Sequence, residues 1–420
     1  MLKGKARIPG DKSISHRALI LAALAVGASR IENLCDGDDI AATIAALRQL
    51  GAKIEREEDG AWRVAGVGAG GLIQPAHPFD LGNSGTSARL LTGLIASHPI
   101  RARFTGDASL SGRPMARVAK PLRSIGAGID GDRLPMDVAG IYPALPRTHR
   151  LDVPSAQVKS ALLLAALNTP GITTVIESTE TRDHLERMLP LFDAEIAVDG
   201  TELRLRGEVE LRPHDLSVAG DASAAAFLVV AALIVPGSDI RIEGVGMNPR
   251  RTGFYEMLGE MGADIVFKNE RERSGEPVAD LVVRHSPLRG IDIPAEIAPR
   301  MIDEYPILFV AAAFAEGETR ARGLAELRFK ESDRIAAMAV GLAAVGVRVE
   351  ESADGLIVHG GGSGPLPGGA IVAANSDHRV AMSFAVAGLH AKEPIGVDDM
   401  SPVATSFPGF AAALADLAAA

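Results

Sequence analysis

The strongest constraint on the fold is a sixfold repeat in the pattern of apolar segments. Six times along the chain, an apolar stretch with helical spacing follows a polar or glycine-containing start, at intervals of about 65 to 80 residues. The six starts are Ser13, Ser84, Ser155, Ala222, Asp303 and Asp377. Self-similarity at a nearly fixed period indicates repeated supersecondary units rather than one irregular domain.

Each apolar helix is followed by a short segment that predicts a strand, because its residues alternate or are β-branched. These segments are 29–32, 100–104, 172–176, 240–242, 319–322 and 395–397. A second, more polar helix then ends in a Gly-Ala-x-Ile type of stop, which suits a left-handed helix end leading into a strand. The stop residues are Gly51, Gly126, Gly262 and Gly346, with Asp193 in the third unit.

The six units divide into two halves of three. Residues 8–11 (Ile-Pro-Gly-Asp) are echoed 210 positions later by residues 218–221 (Val-Ala-Gly-Asp). A chain of 420 residues is also expected to form two domains. We therefore predict an α/β fold with lobe one at 1–10 plus 215–420 and lobe two at 11–214. The glycine-rich stretches 66–71 and 360–369 are interpreted as surface turns.

Composition and charge exclude several classes of protein. The hydrophobic fraction of 47% suffices for large cores, and the net charge of −10 argues against a nucleic-acid partner. The single cysteine, Cys35, is predicted to be a small, partly buried residue, and no His/Cys cluster has zinc spacing, so no metal is expected. The segment 1–5 lacks the apolar core of a signal peptide, and the run 222–235 is too short for a membrane span and predicts a buried helix. We expect a cytoplasmic protein with no membrane association.

Cationic and small polar side chains collect at the predicted helix starts. They include Lys12, Ser13, Arg17, Gly85, Arg113, Gln157, Lys330, Arg334 and Arg379. For any single cluster, helix capping and surface charge are a sufficient explanation. However, a cation at a helix N-terminus is disfavoured by the helix dipole. We expect this placement for Arg113, Lys330, Arg334 and Arg379, and an anionic ligand would offset its cost. The repetition predicts a substrate with several anionic groups, such as phosphate and carboxylate.

Two carboxylates fall within this positive set. Asp303 and Glu331 would act as base and acid if their surroundings separate their pKa values. Asp333 and Glu304 are rival candidates, with capping or ion pairing as the alternative explanation for each.

These motifs closely resemble those of the 5-enolpyruvylshikimate-3-phosphate synthase (EPSP synthase) family, the enolpyruvyl transferases of aromatic amino acid biosynthesis. The likeness spans essentially the whole chain and rests on residues 9–17, 82–86, 112–115, 155–160, 303–306, 330–334 and 377–379. It implies a two-lobed inside-out α/β barrel with three βαβαββ units per lobe that close on substrate. It also implies transfer of the enolpyruvyl group of phosphoenolpyruvate to the 5-hydroxyl of shikimate 3-phosphate, through a tetrahedral intermediate, by a monomer without metal or organic cofactor.

The resemblance assigns roles by position. The residues that the resemblance implies for binding shikimate 3-phosphate are Lys12, Ser13, Arg17, Ser155, Ala156, Gln157, Arg182, Asp303 and Lys330. Those implied for phosphoenolpyruvate are Lys12, Gly85, Arg113, Gln157, Arg334 and Arg379. Asp303 would accept the hydroxyl proton, and Glu331 would donate to the methylene carbon with help from Lys12.

The chain departs from the family pattern at two places. Many relatives have lysine where this chain has Thr405, and Arg182 lies in a variable region. Gly85 lacks the methyl group with which some relatives resist glyphosate, so inhibition competitive with phosphoenolpyruvate is expected. The rival functions are transfer to UDP-N-acetylglucosamine, whose enzymes commonly carry a loop cysteine that residues 107–113 lack, and an inactive anion-binding paralogue.

Overall fold

The computed structural model describes residues 1–419, in which helices and strands alternate along the chain. The first half contains β1 (Lys3–Ala6), α1 (Lys12–Leu24), β2 (Val26–Glu32), α2 (Asp38–Gln49), β3 (Lys53–Arg56), β4 (Trp62–Val67), β5 (Phe79–Asp80), α3 (Gly85–Ala96), β6 (Arg101–Thr105), α4 (Ala108–Gly112), α5 (Ala116–Ser124), β7 (Gly128–Asp130), β8 (Met136–Ala139), β9 (Thr148–Leu151), α6 (Ala156–Leu167), β10 (Ile172–Glu177), α7 (His184–Met188), β11 (Ile196–Asp199), β12 (Glu202–Arg206) and β13 (Leu216–Ser217). The second half contains α8 (Ala222–Ile234), β14 (Asp239–Gly246), α9 (Gly253–Glu260), β15 (Asp264–Arg273), β16 (Glu276–Arg284), β17 (Leu288–Arg289), β18 (Asp292–Ile293), α10 (Tyr305–Ala313), β19 (Ala315–Ala321), α11 (Arg334–Ala344), β20 (Arg348–Ser352), β21 (Gly355–Gly361), β22 (Ile371–Val372), α12 (His378–Ala387), β23 (Gly396–Val397) and α13 (Phe410–Ala419).

The chain forms two compact regions. Region one comprises Met1–Asp11, Gly220–Glu272 and Pro277–Ala420, and region two comprises Lys12–Ala219 and Arg273–Glu276. In region two the sheet orders are β13-β2-β4-β3, β5-β6-β8-β7 and β11-β12-β10-β9. In region one they are β1-β14-β16-β15, β17-β19-β21-β20 with β18 beside β19, and the small pair β22-β23.

The strand nearest the N-terminus pairs far along the chain. β1 lies parallel to β14 in region one, with Lys3 opposite Asp239. The equivalent edge of the first sheet in region two is supplied by β13, which lies parallel to β2 with Leu216 opposite Ile31. β1 is followed in sequence by α1 of region two, and β13 by α8 of region one, so each of these strands pairs in the sheet of one region and leads into the first helix of the other.

The first helix of each unit forms the core. α1, α3 and α6 in region two and α8, α10 and α12 in region one are buried along almost their whole length, and the predicted buried helix is α8. These helices begin within two residues of the predicted starts. α3 and α6 approach closely at Gly93, where a Cβ atom would lie 2.2 Å from the carbonyl oxygen of Ala161. Cys35, predicted to be partly buried, is almost completely buried.

The left-handed stops at the ends of the second helices are confirmed. Gly51, Gly126, Gly262 and Gly346 have φ angles of 104°, 108°, 94° and 87°, and Asp193 has a φ of 61°. Glycine adopts this conformation at no steric cost, and aspartate tolerates it better than most residues. Each stop turns the chain from a helix into the outer strand of its sheet.

The interpretation of two glycine-rich stretches as surface turns is wrong at their first residues. Gly66 lies in β4, where a Cβ atom would be 2.3 Å from the carbonyl oxygens of Ala22 and Ala25. Gly360 lies in β21, where a Cβ atom would be 2.1 Å from the carbonyl oxygen of Ala315. Both glycines therefore let a strand pass directly over the C-terminal end of a core helix.

The same close approach occurs in two further units. A Cβ atom on Gly140 would lie 1.9 Å from the Ile95 carbonyl oxygen, and one on Gly207 would lie 2.0 Å from that of Thr169.

None of the helices within residues 1–419 combines the length and apolarity needed to cross a membrane.

Candidate active site

In region two, side chains at the start of α1 contact residues at the starts of α2 and α6. Lys12 is the first residue of α1, and its Nζ lies 2.8 Å from Oδ2 of Asp39 on α2. Arg17, one turn further on, donates to Oγ of Ser160 on α6 over 3.1 and 2.8 Å and to the carbonyl of Ala156 over 3.4 Å. The structure thus brings the predicted residues Arg17 and Ala156 into contact, and Lys12 lies on the same helix as Arg17.

A chain of buried hydrogen bonds that the sequence did not reveal ties α1, α2 and α3 together. Nδ1 of His16 lies 2.8 Å from Oγ1 of Thr43, which lies 2.7 Å from Oγ of Ser87. Ser87 in turn contacts Oγ of Ser84, the N-cap of α3, over 2.6 Å. Because hydroxyl groups both donate and accept, this chain fixes the three helix starts without adding charge.

Gly85 lies beneath two guanidinium groups. A Cβ atom at this position would be 2.8 Å from Nη1 of Arg89 and 3.0 Å from Nη1 of Arg113. Arg89 also donates to Oε1 of Gln157 over 2.9 Å, and Nε2 of Gln157 donates to Oγ1 of Thr86 over 3.0 Å. Arg89 was missed by the sequence analysis, although its position one helical turn after Gly85 is a signal that could have identified it.

The predicted position of Arg113 at a helix N-terminus is wrong. Arg113 follows the last residue of α4, and α5 begins only at Ala116. Its guanidinium donates to the carbonyl oxygen of Asn83 over 3.2 Å and to Oγ of Ser109 over 3.1 Å, and also contacts the Asn83 side-chain oxygen. A cation at the end of a helix is favoured by the dipole, so that argument for an anionic ligand does not apply here.

The other predicted residues of region two lie at helix starts or in a loop. Ser155 caps α6 by accepting from the backbone N–H of Val158 over 3.4 Å. Ser13 is half-buried in the first turn of α1, and its carbonyl accepts from Arg17 over 2.8 Å. Arg182 is half-buried in the loop between β10 and α7, and α7 packs against α1.

Asp303 lies between cations in region one. Its Oδ1 accepts from Nζ of Lys330 over 3.1 Å and from Nη1 of Arg334 over 3.2 Å. Its backbone carbonyl accepts from Nη1 of Arg379 over 3.1 Å. The structure thus brings together four predicted residues that are up to 76 positions apart in sequence.

Arg334 is the centre of a second set of ion pairs. Its Nε lies 2.8 Å from Oδ2 of Asp377, and its Nη2 lies 3.3 Å from Oδ1 of Asp377 and 2.6 Å from Oε2 of Glu331. Burial alone would lower the pKa of Arg334, but the carboxylates of Asp377, Glu331 and Asp303 raise it above its ordinary value. Arg334 begins α11, where the helix dipole disfavours a cation, and the carboxylates of Asp377, Glu331 and Asp303 offset that cost within the protein.

The two rival carboxylates cap or pair. Asp333 caps α11 by accepting from the N–H of Ala336 over 3.1 Å, and it accepts from Arg328 over 2.6 Å. Glu304 is buried and accepts from the hydroxyl of Ser223. Neither carboxylate shares the Lys330 and Arg334 contacts of Asp303.

Thr405 ends a short 3-10 helix, Ser401–Thr405, that packs against α12. Its hydroxyl donates to the carbonyl of Pro402 over 2.7 Å. The residue at which the chain departs from the family pattern is therefore a threonine whose hydroxyl is already used in a local hydrogen bond. Residues 1–419 also contain no group of three His, Cys, Asp or Glu side chains arranged to hold a metal ion.

Known proteins share this fold along the whole chain. A solved EPSP synthase from Acinetobacter baumannii matches with a TM-score of 0.88 and 44% identity, covering 99% of this chain and 96% of its own. The fold, together with the polar residues around Arg17 in region two and around Asp303 in region one, thus defines an enolpyruvyl transferase. Curated 3-phosphoshikimate 1-carboxyvinyltransferases from Sphingopyxis alaskensis and Zymomonas mobilis are 59% and 56% identical, covering 99% and 100% of this chain and 96% and 94% of their own length. The family described as EPSP synthase (3-phosphoshikimate 1-carboxyvinyltransferase) matches residues 1–414, and the chain belongs to this family.

Proposed function

We propose that the chain transfers the enolpyruvyl group of phosphoenolpyruvate to the 5-hydroxyl of shikimate 3-phosphate, the reaction of its family. The observation that carries the proposed chemistry is the placement of two carboxylates, Asp303 and Glu331, on one guanidinium, that of Arg334. Addition of a hydroxyl across a double bond requires one group that takes a proton and one that gives a proton. Asp303 and Glu331 supply that pair.

In the addition step, the hydroxyl oxygen bonds to C2 of phosphoenolpyruvate while Asp303 takes its proton. Glu331, helped by Lys12, donates a proton to the methylene carbon, and a tetrahedral intermediate results. In the elimination step, the bond from C2 to the phosphate oxygen breaks and a methyl proton leaves, which restores the double bond. The same two groups, now in the opposite protonation states, serve this second step.

The cations hold the anionic groups of the two substrates. We assign the phosphate of shikimate 3-phosphate to Ser13 and Arg17, and its remaining contacts to Ser155, Ala156, Gln157, Arg182 and Lys330. Phosphoenolpyruvate is assigned to Gly85, Arg113, Arg334 and Arg379, with Lys12 and Gln157 contacting both substrates. Arginine suits these roles because its planar fork matches carboxylate and phosphate oxygens in pairs.

A phosphate-release assay with purified protein tests the proposal. Phosphate is expected only when phosphoenolpyruvate and shikimate 3-phosphate are both present, with the enolpyruvyl ether detected by mass spectrometry. Release with UDP-N-acetylglucosamine instead would favour transfer to a nucleotide sugar. Tight binding of shikimate 3-phosphate without release would indicate an inactive binding protein.

We further propose that the chain acts as a cytoplasmic monomer and needs no metal or organic cofactor. Light scattering is expected to give the mass of one chain, and extensive dialysis against EDTA is expected to leave turnover unchanged. A dimer mass, or activity that returns only when a divalent ion is added, would contradict the corresponding part of this proposal.

A further inference from the structure

One buried carboxylate beside the proposed base has no role in the reaction described above. Glu304 follows Asp303 directly, and its side chain is 2% exposed. Its Oε1 accepts from the hydroxyl of Ser223 on α8, whereas Oε2 has no hydrogen-bond partner within residues 1–419. Burying a carboxylate is costly unless it is paired, so its surroundings call for an explanation.

The cation that compensates Glu304 is Arg251, which is 3% exposed. Its Nη2 donates to Oγ of Ser223 over 2.6 Å and lies 3.8 Å from Oε1 of Glu304. The same guanidinium lies 3.3 Å from Asp11 and 3.6 Å from Asp221. Ser223 therefore bridges Arg251 and Glu304, and Arg251 is itself fixed by two further carboxylates.

The dipeptide Asp303-Glu304 is held on both of its side chains and along its backbone. Lys330 and Arg334 hold the Asp303 carboxylate, and Arg379 holds the Asp303 carbonyl. The Glu304 N–H donates to the carbonyl of Met301 over 3.0 Å. Among residues 1–419, the hydrogen bond from Ser223 and the ion pair with Arg251 are the polar contacts of the Glu304 side chain. Because Glu304 is joined directly to Asp303, contacts that anchor the Glu304 side chain also restrain the peptide that carries Asp303.

We propose that Glu304, Ser223 and Arg251 form a positioning cluster that holds Asp303 in the orientation needed for proton transfer. The proposal rests on the function proposed above, in which Asp303 takes the hydroxyl proton. A base must lie within about 2.6–3.2 Å of the proton donor's oxygen, and a misplacement of about 1 Å is enough to slow such a step strongly. The cluster acts through Asp303 and contacts no reacting atom itself.

The variant Ser223→Ala tests this role, since it removes the bridging hydroxyl and leaves every charge in place. We expect kcat to fall about tenfold while KM for both substrates stays within about twofold, because substrate contacts are unchanged. Glu304→Gln is the second variant, and Arg251 keeps Asp11 and Asp221 as partners in it. The same split between kcat and KM is expected.

Ser383→Ala is the matched control. Ser383 is a buried serine on core helix α12 whose hydroxyl has no hydrogen-bond partner among residues 1–419. The kcat of Ser383→Ala is expected to equal that of the wild type. All assays are run well below the measured Tm of each variant. Wild-type kcat in Ser223→Ala, or a rise in KM at constant kcat, would overturn the positioning role. A wild-type protein without turnover would instead overturn the proposed function.

Discussion

Arg334 and Asp377 form a two-point ion pair in the core of region one. Nε and Nη2 of the guanidinium lie 2.8 and 3.3 Å from the two carboxylate oxygens, and the arginine side chain is 1% exposed. Asp377 also caps α12 by accepting from the N–H of Arg379 over 2.9 Å. This single carboxylate therefore orients two of the proposed phosphoenolpyruvate contacts. It pairs directly with the Arg334 side chain, and it fixes the start of the helix that carries Arg379.

Removing Asp377 is expected to destabilise the protein strongly. Asp377→Ala leaves a buried guanidinium short of its two-point partner, and we expect a loss of about 3 kcal/mol in the free energy of unfolding. Urea denaturation measures it. The control is Asp137→Ala, whose pair with Arg103 is more than half exposed on both side chains, and whose expected loss is below about 1 kcal/mol. Equal losses in the two variants would contradict the prediction.

Asp303→Asn tests the proposed base. Because the amide cannot take the hydroxyl proton, we expect kcat to fall at least about 100-fold. Shikimate 3-phosphate binding, measured by calorimetry, should persist because Lys330 and the other contacts assigned to this substrate remain. Asp333→Asn, a change to a helix cap on α11, should leave kcat nearly unchanged. Near-normal turnover in Asp303→Asn would remove Asp303 as the base.

Gly85→Ala is expected to weaken the binding of phosphoenolpyruvate and of glyphosate. The added methyl group would lie within 3.0 Å of the guanidinium nitrogens of Arg89 and Arg113, which must then move. We expect the wild type to be inhibited competitively with phosphoenolpyruvate, and inhibition of the variant to be at least about tenfold weaker, a difference of about 1.4 kcal/mol. Full wild-type activity at an inhibitor level that stops sensitive relatives would contradict the first expectation. An unchanged inhibition constant in the variant would contradict the second.

Thr405→Lys is expected to improve the binding of phosphoenolpyruvate. The substitution gives up a local hydrogen bond to Pro402 and adds an ammonium group. A charge-assisted contact would lower KM for phosphoenolpyruvate by about three- to tenfold. Initial rates at saturating shikimate 3-phosphate measure this, with Thr405→Met as an uncharged variant of similar length. Equal KM values in the two variants would contradict it.

His149 is expected to make stability fall at acid pH. Burial, with Arg147 nearby, lowers the pKa of His149 below its ordinary value. The unfolded chain takes up a proton near pH 6.5, whereas the folded chain resists it. The stability present above about pH 6.5 is therefore lost as the pH falls, by at most about 1.4 kcal/mol per pH unit.

Urea denaturation between pH 5 and pH 8 measures this slope. His149→Gln should show a shallower dependence than the wild type. His77→Gln, which changes an exposed histidine, should show the wild-type slope. Parallel curves for His149→Gln and the wild type would contradict the prediction.

Local sequence signals predict the elements of this fold well. A polar cap followed by an apolar run places the core helices to within two residues, because capping and helical periodicity act over neighbouring positions. The same holds for Gly51 and the other left-handed stops, where backbone sterics alone select the residue. The mixed α/β fold predicted from the six repeats is confirmed.

Contacts between distant segments are harder to infer. Arg89 bonds Gln157 across 68 positions and Ser223 bonds Glu304 across 81, and no local period encodes either contact. The placement of Arg113 failed for a local reason. The preceding helix α4 has only five residues, which is too short to give a periodic signal, so the sequence did not reveal that Arg113 follows the end of a helix. The assignment of substrates to individual residues stays a prediction.

Four core helices are packed against a glycine at their C-terminal end and carry proposed site residues at their N-terminal end. Gly66 and Gly360 lie in strands, and Gly140 and Gly207 lie directly after strands, where the chain passes closely over the C-terminal end of such a helix. Lys12, Gly85, Ala156 and Asp303 lie at or just before the opposite ends of these helices. The residues assigned to the substrates and the tightly packed glycines therefore lie at opposite ends of these core helices, so the first turns can carry polar chemistry while the last turns carry the closest backbone packing.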